Sequence, residues 1–332
     1  MNMKADIFVP TSNRIDALEQ CLESLSKQSR RDFRVLLVGL RKDENVEKLI
    51  TKFPQIEIEY FIQKKKGLIG AANEALQVAE NEIFVRIDDD TIQDEFWYEN
   101  IIKTFESDEK IGGVTGPTVM SEAGVKSRDL TAYLEKFKNS RNPFLRAFYS
   151  LYNDYLYENK MYEVSQFLKS GVFTLGSNFK EASNLPASIE VNNLEACNWS
   201  ARTALLRQIG GFDEIYVKGL GDYHEADAAL KIKKTGHVLI FNPKVKLRHN
   251  VEVGTVDKAR PAPYWRIQNF IIFYFRFFDI ESIGQFVRFL TNVLLQNGYY
   301  VFRFFTTGKL SQLGALTGTF VGFAKVLCKY KN

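Results

Sequence analysis

The sequence predicts an α/β protein with a mostly parallel central sheet flanked by helices. Three observations lead there. Residues 5–115 alternate short apolar, β-rich runs with stretches of helical period, the βαβα pattern of a parallel sheet covered by helices. The helical stretches are one-sided: in the first, Ile15, Leu18, Leu22 and Leu25 fall three or four residues apart, with Arg14, Glu19, Glu23 and Lys27 off that stripe. And 332 residues that are 45% hydrophobic and 25% charged can bury a sizeable core, which excludes disordered, collagen-like and disulfide-scaffold classes.

Taken in order, ADIFV is the first strand and leads into a helix from about Arg14. FRVLLV is followed by a helix from Asp43 and IEIEYFI by one from Leu68, and IFVRID closes the series. Ligands of such sheets bind at the carboxyl ends of the strands, so the residues just after ADIFV, FRVLLV and IFVRI are the expected site. Residues 121–190 lose this regularity: a polar, aromatic-sprinkled stretch reads as helix, and GVFTLGSNFKEASNLP as loop. We read it as an insertion. Order returns with a strand, a helix and a Gly-Gly turn in VNNLEACNWSARTALLRQIGGFDE, the helical HEADAALKIKKTG and the strand HVLIF, ending at KLRHN.

The net charge of +4 averages two unlike surfaces. Residues 1–257 hold 34 basic and 38 acidic side chains, whereas residues 258–332 hold 10 and 2, together with 18 of the 45 aromatics. In that tail PAPYWRIQNFIIFYFRFFDIESIGQFVRFL and NGYYVFRFFTTGKL interleave rings with cations, the pattern of amphipathic helices lying in a membrane interface. Leu310 to Ala324 contains three glycines and falls short of the roughly 20 apolar residues that span a bilayer, so a surface-bound helix is expected and a spanning one is not. The competing reading packs these helices on the rest of the chain or in a homo-oligomer interface. No nucleic-acid module surrounds them, so nucleic acid is not an expected partner. Cys21, Cys197 and Cys328 lie far apart without CxxC spacing, suggesting neither zinc nor disulfides and a reducing, cytoplasmic setting. The N-terminus runs into a strand without the apolar core of a signal peptide, so secretion is not expected.

Asp88, Asp89 and Asp90 close the strand IFVRI. Three successive carboxylates repel one another, a cost that a divalent cation offsets. In an extended segment Asp88 and Asp90 point to the same side, so a D-x-D pair can present two oxygens to Mg²⁺ or Mn²⁺, whose remaining positions suit phosphate oxygens and water. A solvated turn capping the next helix is the plainer alternative.

Over residues 5–250 the sequence resembles the family 2 glycosyltransferases, inverting enzymes of the GT-A fold that move a sugar from a nucleotide-sugar to an acceptor. FVPTSNRIDALEQCLESLSKQ is similar to the family's first strand and nucleotide loop, which implies that Pro10, Thr11, Asn13 and Arg14 lie beside the base and ribose. KKKGLIGAANEAL resembles the next motif, matched at Gly67 and Asn73. RIDDD resembles the D-x-D, implying that Asp88 and Asp89 face the donor and that Asp88 and Asp90 hold the metal. His249 in KLRHN falls where many members have a histidine reaching the same ion. NWSARTALLRQIGGFDE looks like the acceptor-side motif, and HEADAALKIKKTG like the segment of the catalytic base, which implies Glu225 as base and Asp227 as second choice. The chain departs from the family in three places: Gly39 and Leu40 stand where a base-contacting aspartate pair is usual, Ala72 where an arginine often precedes the motif asparagine, and His224-Glu225 where Glu-Asp is usual.

The resemblance implies a catalytic domain over 1–257, with a nucleotide-sugar half at about 1–115 and an acceptor half with a helical insertion at 116–257, followed by the tail at 258–332. It implies a hexosyltransferase-like enzyme using Mg²⁺ or Mn²⁺ and acting on a lipid-linked or cell-surface glycan, cytoplasmic and peripherally bound to the membrane. A catalytically lapsed glycan- or partner-binding scaffold and a nucleotidyltransferase on a related sheet are the alternatives.

Overall fold

The apolar runs of residues 5–115 form strands. β1 (Ala5–Thr11) pairs in parallel with β2 (Arg34–Gly39) and β4 (Ile83–Ile87), and β3 (Glu57–Ile62) adds in parallel to β2. Between them run α1 (Ile15–Ser26), α2 (Glu44–Ile50) and α3 (Leu68–Val78). Asp43 caps α2 by accepting from the Asn45 backbone N–H, and Gly67, at φ 102°, makes the left-handed entry to α3 that a side chain would resist. The computed structural model describes residues 3–12, 14–120, 134, 136–219, 221–250 and 263–329.

After β4 come β5 (Thr91–Gln93), α4 (Trp97–Ser107), β6 (Ile111–Thr115), β7 (Thr118–Met120), β8 (Ile189–Val191), β9 (Asn198–Arg202), β10 (Val238–Phe241) and β11 (Leu247–His249). The main sheet runs β3-β2-β1-β4-β9-β6-β10-β8, and β5-β11-β7 form a small second sheet. The expected parallel order holds on the β1 side, while β9 enters antiparallel between β4 and β6. Of the later helices, α5 (Pro143–Tyr149) belongs to a second unit, and α6 (Thr203–Gln208) and α7 (His224–Lys234) belong with the sheet. The core on one face joins Ile7, Val9, Val35, Leu37 and Val85 to Leu18, Leu22 and Leu25 of α1 and Trp97, Ile101 and Phe105 of α4. In α1 the predicted stripe is buried, with Ile15 only half covered and Cys21 joining it.

Two compact units divide the chain: residues 1–121, 175–217 and 224–251 make the sheet unit, and 122–174, 218–223 and 252–332 the other. The expected boundary at 257 ran with the sequence; in space residues of the insertion group with the tail. Within that second unit lie α8 (Pro263–Phe277), α9 (Ile283–Thr307) and α10 (Gly314–Lys329). The Tyr274 hydroxyl donates to the Lys169 carbonyl at 3.0 Å, the Asn292 amide to that of Ser170 at 3.0 Å, and Arg288 pairs with Glu158 at 2.7 Å. Phe167 packs on Phe273, and Ile267, Phe270, Ile271, Tyr274, Phe289 and Ala315 form the apolar centre.

Most of α8 is buried within this unit. In α9 and α10, by contrast, Leu294, Phe302, Phe305, Phe320 and Leu327 stay exposed. Among the described residues Leu310–Cys328 is long and apolar enough to cross a membrane by length and composition, with mean hydropathy 1.2 and 22% buried. The sequence expectation stopped short at Ala324; the helix carries on past Lys325, which one charge does not prevent.

Candidate active site

The registers bring four separate segments together. β1 ends at Thr11 and β4 at Ile87, and the antiparallel pairing of Ile87 with Asn198 sets Asp88 and Cys197, one residue beyond on each strand, side by side. β11 pairs His249 with Thr91, and the Asn250 N–H donates to the Asp90 carbonyl at 2.9 Å, so the histidine lies along the aspartate run.

The three aspartates then have three environments. Asp89 is buried, its carboxylate bridged by the Arg14 guanidinium and accepting from the Thr11 hydroxyl at 2.9 Å. Asp90 accepts from Arg14 at 2.7 Å on one oxygen and faces His249 Nε2 at 3.1 Å with the other. Burial opposes ionisation of Asp90, but His249 and Arg14 outweigh it and hold its carboxyl below the usual range. Asp88 alone remains open, its side chain 28% exposed against 2% for Asp89 and 9% for Asp90. The predicted donor residue Arg14 is therefore committed to the aspartates, and burial of its guanidinium is more than offset by Asp89 and Asp90, so its pKa rises. Pro10 lies in β1 immediately before Thr11. Asn13 lies outside the described residues.

A residue that the sequence reading passed over links the two ends of the site. Arg86, in β4 and on the same face as Asp88, is almost fully buried; it reaches Asp88 Oδ1 at 3.1 Å, Glu225 Oε1 at 2.7 Å and the Ala196 carbonyl. A charged side chain inside an otherwise apolar strand was the available signal, since such a group persists only when paired. Glu225, in the first turn of α7, also meets His224 Nδ1 at 2.8 Å. Burial pushes the Glu225 carboxyl up, but His224 and Arg86 together bring it down to about 2, so the carboxylate is ionised. His224, which stands where the family usually has a glutamate, is thus the second holder of this carboxylate.

Asp227 is placed differently. It is fully buried, accepts from the Tyr216 hydroxyl at 3.1 Å and pairs with Lys231 at 2.7 Å across one helical turn. Asn73 exchanges two bonds with the Phe212 backbone, at 2.8 and 2.9 Å, and a Cβ on Gly211 (φ 73°) would come within 2.7 Å of its Oδ1. Asn73 thus pins α3 to the Gly-Gly turn. At the end of β2, Asp43 serves as the α2 cap, Leu40 is exposed, and the Tyr60 hydroxyl donates to the Arg41 carbonyl at 3.2 Å. Lys65 pairs with Glu214 at 2.6 Å.

Cys197 is the other residue left unassigned by the sequence reading. Its Sγ lies 3.5 Å from His249 Nδ1, and one ligand atom from each of Asp88, Cys197 and His249 falls within 4.8 Å of the others. A carboxylate, a thiol and an imidazole this close together are a donor set that fits a divalent cation.

Residues 6–165 match the family model described as Glycosyl transferase family 2. This segment belongs to glycosyltransferase family 2. An uncharacterised glycosyltransferase of Bacillus subtilis (strain 168), YwdF, is 27% identical over 154 residues, 46% of this chain and 52% of the relative; the chain spans about half the length of the curated relative it matches. Two solved structures have the same fold. TarS 1-349 of S. aureus, in complex with UDP-GlcNAc, aligns with a TM-score of 0.59 and 14% identity over 98% of this chain and 80% of its own. The mannosyltransferase PcManGT of Pyrobaculum calidifontis, in complex with GDP-Man and Mn²⁺, aligns with a TM-score of 0.53 and 17% identity over 99% and 76%. The glycosyltransferase segment ends within the second unit, whereas Cys197, Glu225 and His249 lie beyond it.

Proposed function

We propose that this protein is an inverting glycosyltransferase that moves a hexose from a nucleoside-diphosphate sugar to an acceptor hydroxyl. The observation that carries the reading is the chain Asp88–Arg86–Glu225, which couples the open carboxylate at the end of β4 to an ionised buried carboxylate through one guanidinium. An acceptor hydroxyl is a poor nucleophile at neutral pH and needs a base as it attacks the anomeric carbon. Glu225 takes that proton. With its carboxyl held near 2 it is ionised throughout the physiological range, and it accepts the proton only as the attacking oxygen becomes acidic in the transition state. Arg86 and His224 orient it. Asp227, locked to Lys231 and Tyr216, holds the helix that presents the base.

The aspartate corner with His249 would hold a divalent cation, and the fold relative that carries Mn²⁺ with its GDP-sugar supports this. Such an ion, when bound, supplies Lewis-acid stabilisation to a leaving diphosphate. Arg14 and Thr11 keep Asp89 and Asp90 in place for donor binding, and UDP- and GDP-hexoses are the donor class that the fold relatives suggest. The second unit brings the enzyme to a membrane surface, where a lipid-linked or cell-surface glycan is the acceptor. Exposed Phe302, Phe305 and Phe320 among Arg303, Lys309 and Lys325 support this.

A screen of UDP-, GDP- and dTDP-hexoses with Mn²⁺ or Mg²⁺ tests the reading. Release of nucleoside diphosphate from at least one donor, abolished by chelator, is expected. Tight donor binding with no turnover points to a lapsed scaffold, and pyrophosphate released from a nucleoside triphosphate to a nucleotidyltransferase.

A further inference from the structure

We propose that α5, the short basic and aromatic helix of the insertion, lies in the headgroup layer of an anionic bilayer, as a membrane contact separate from the tail helices. The proposal rests on the membrane reading of the second unit and adds a surface which that reading does not use.

Local sequence starts the helix. Asn142 accepts from the Phe144 backbone N–H at 2.9 Å, Pro143 occupies the first turn, and after Tyr149 the chain continues as a π-helical turn over Ser150–Leu156. What α5 lacks is a buried face: none of its residues is buried, and in the turn that follows only Leu156 is. A helix this short is marginal in water unless packing covers one side. Rings cover one flank, where Phe148 stacks on Tyr152 and meets Phe137 edge-on, and Tyr152 reaches Tyr157. Along the neighbouring stripe Phe144, Ala147 and Leu151 are all exposed, Phe144 to 82%.

The charge around this stripe has one sign. Between Glu135 and Asp154 the chain holds Lys136, Lys138, Arg141 and Arg146 and no acid, and all four cations are exposed. Lys138 stands 5.9 Å over the Tyr149 ring, and Arg141 and Arg146 pair with no acid among the described residues. Asp154 is engaged within its own segment, by the Ser150 hydroxyl at 2.6 Å and the Asn153 amide at 2.9 Å. A small anion would satisfy the cations and leave Phe144 and Leu151 in water. An anionic bilayer surface meets both needs, taking rings into the acyl boundary and cations among its headgroups. The turn after α5 is tied to the tail: Arg288 of α9 lies 4.9 Å over the Tyr155 ring and pairs with Glu158 at 2.7 Å, so α5 is carried on the same unit as Phe302 and Phe305.

The test places a probe at Phe144. In the full chain Cys328→Ser removes the exposed thiol, Cys21 and Cys197 being buried, and Phe144→Cys is labelled with bimane. Vesicles of phosphatidylcholine and phosphatidylglycerol in equal parts should shift the bimane emission to the blue, and phosphatidylcholine alone should not. Arg141→Gln with Arg146→Gln should weaken binding to the mixed vesicles roughly 10- to 30-fold at low salt, since each cation near the surface counts about fivefold. The same pair should leave the thermal midpoint unchanged, because neither side chain is packed. Binding to the mixed vesicles with the bimane emission unmoved would overturn the α5 contact and leave the membrane reading standing on the tail. No binding to either vesicle would overturn both. An equal shift on phosphatidylcholine alone would overturn the role given to the cations. A blue shift that grows with protein concentration without vesicles would overturn the lipid assignment in favour of a second copy of this chain.

Discussion

At the scale of single residues the site is organised by two guanidiniums, Arg86 buried and Arg14 half-buried. Arg14 fixes Asp89 and Asp90, and Arg86 fixes Asp88 and Glu225. Breaking a buried ion pair by deleting one partner leaves an uncompensated charge and costs about 3–5 kcal/mol. Arg86→Met should therefore lower stability by about that amount at pH 7 in urea unfolding. The effect has a predictable pH dependence. Glu225 titrates at about 2 in the fold against an ordinary value of 4.5, so its contribution is complete above 4.5 and is lost as pH falls towards 2. The stability gap between wild type and Arg86→Met should narrow across that window, and a gap constant from pH 6 to pH 3 would mean that Arg86 does not hold Glu225. The aspartates, Glu225 and His249 were legible in the sequence because motif order marks them. Arg86, Cys197 and His224 were not, because their roles depend on which strands become neighbours.

At the scale of elements the sequence spoke most clearly where burial is two-sided. β1, β2 and β4 are nearly continuous apolar runs because helices cover both faces, and they were readable. β5, β7 and β11 are three residues each, too short to carry a period, yet their sheet delivers His249 to the aspartates. The antiparallel entry of β9 was equally invisible, since orientation leaves no mark on composition. In the second unit, α10 lies close to α8: a Cβ on Gly318 would run into the Tyr264 carbonyl oxygen, and one on Gly322 would sit 3.1 Å from Ile271 Cβ. Backbone cannot yield as a flexible side chain does. Gly318→Val should destabilise the protein by about 1–3 kcal/mol, read as a lowered thermal midpoint, whereas Gly298→Val, where a Cβ meets nothing within 4 Å, should cost less.

For the whole molecule, the uneven charge follows chain order, whereas the two compact units do not. The sheet unit carries the carboxylates; the second unit gathers part of the insertion and the aromatic tail. The membrane role proposed for it has a direct check. The full chain should float with anionic vesicles at low salt and less so as salt is raised, because each cation near the surface adds about 1 kcal/mol and is screened beyond a Debye length. Phe302→Ser with Phe305→Ser should reduce the bound fraction; unchanged flotation would mean that these rings do not enter the bilayer. The central claim, that Glu225 is the base of a sugar transfer, is tested most directly by comparing wild type and Glu225→Gln on the same nucleotide-sugar while following diphosphate release and donor binding. The account predicts turnover lowered about 10²–10⁴-fold with the donor Kd nearly unchanged; turnover close to wild type in Glu225→Gln would contradict it.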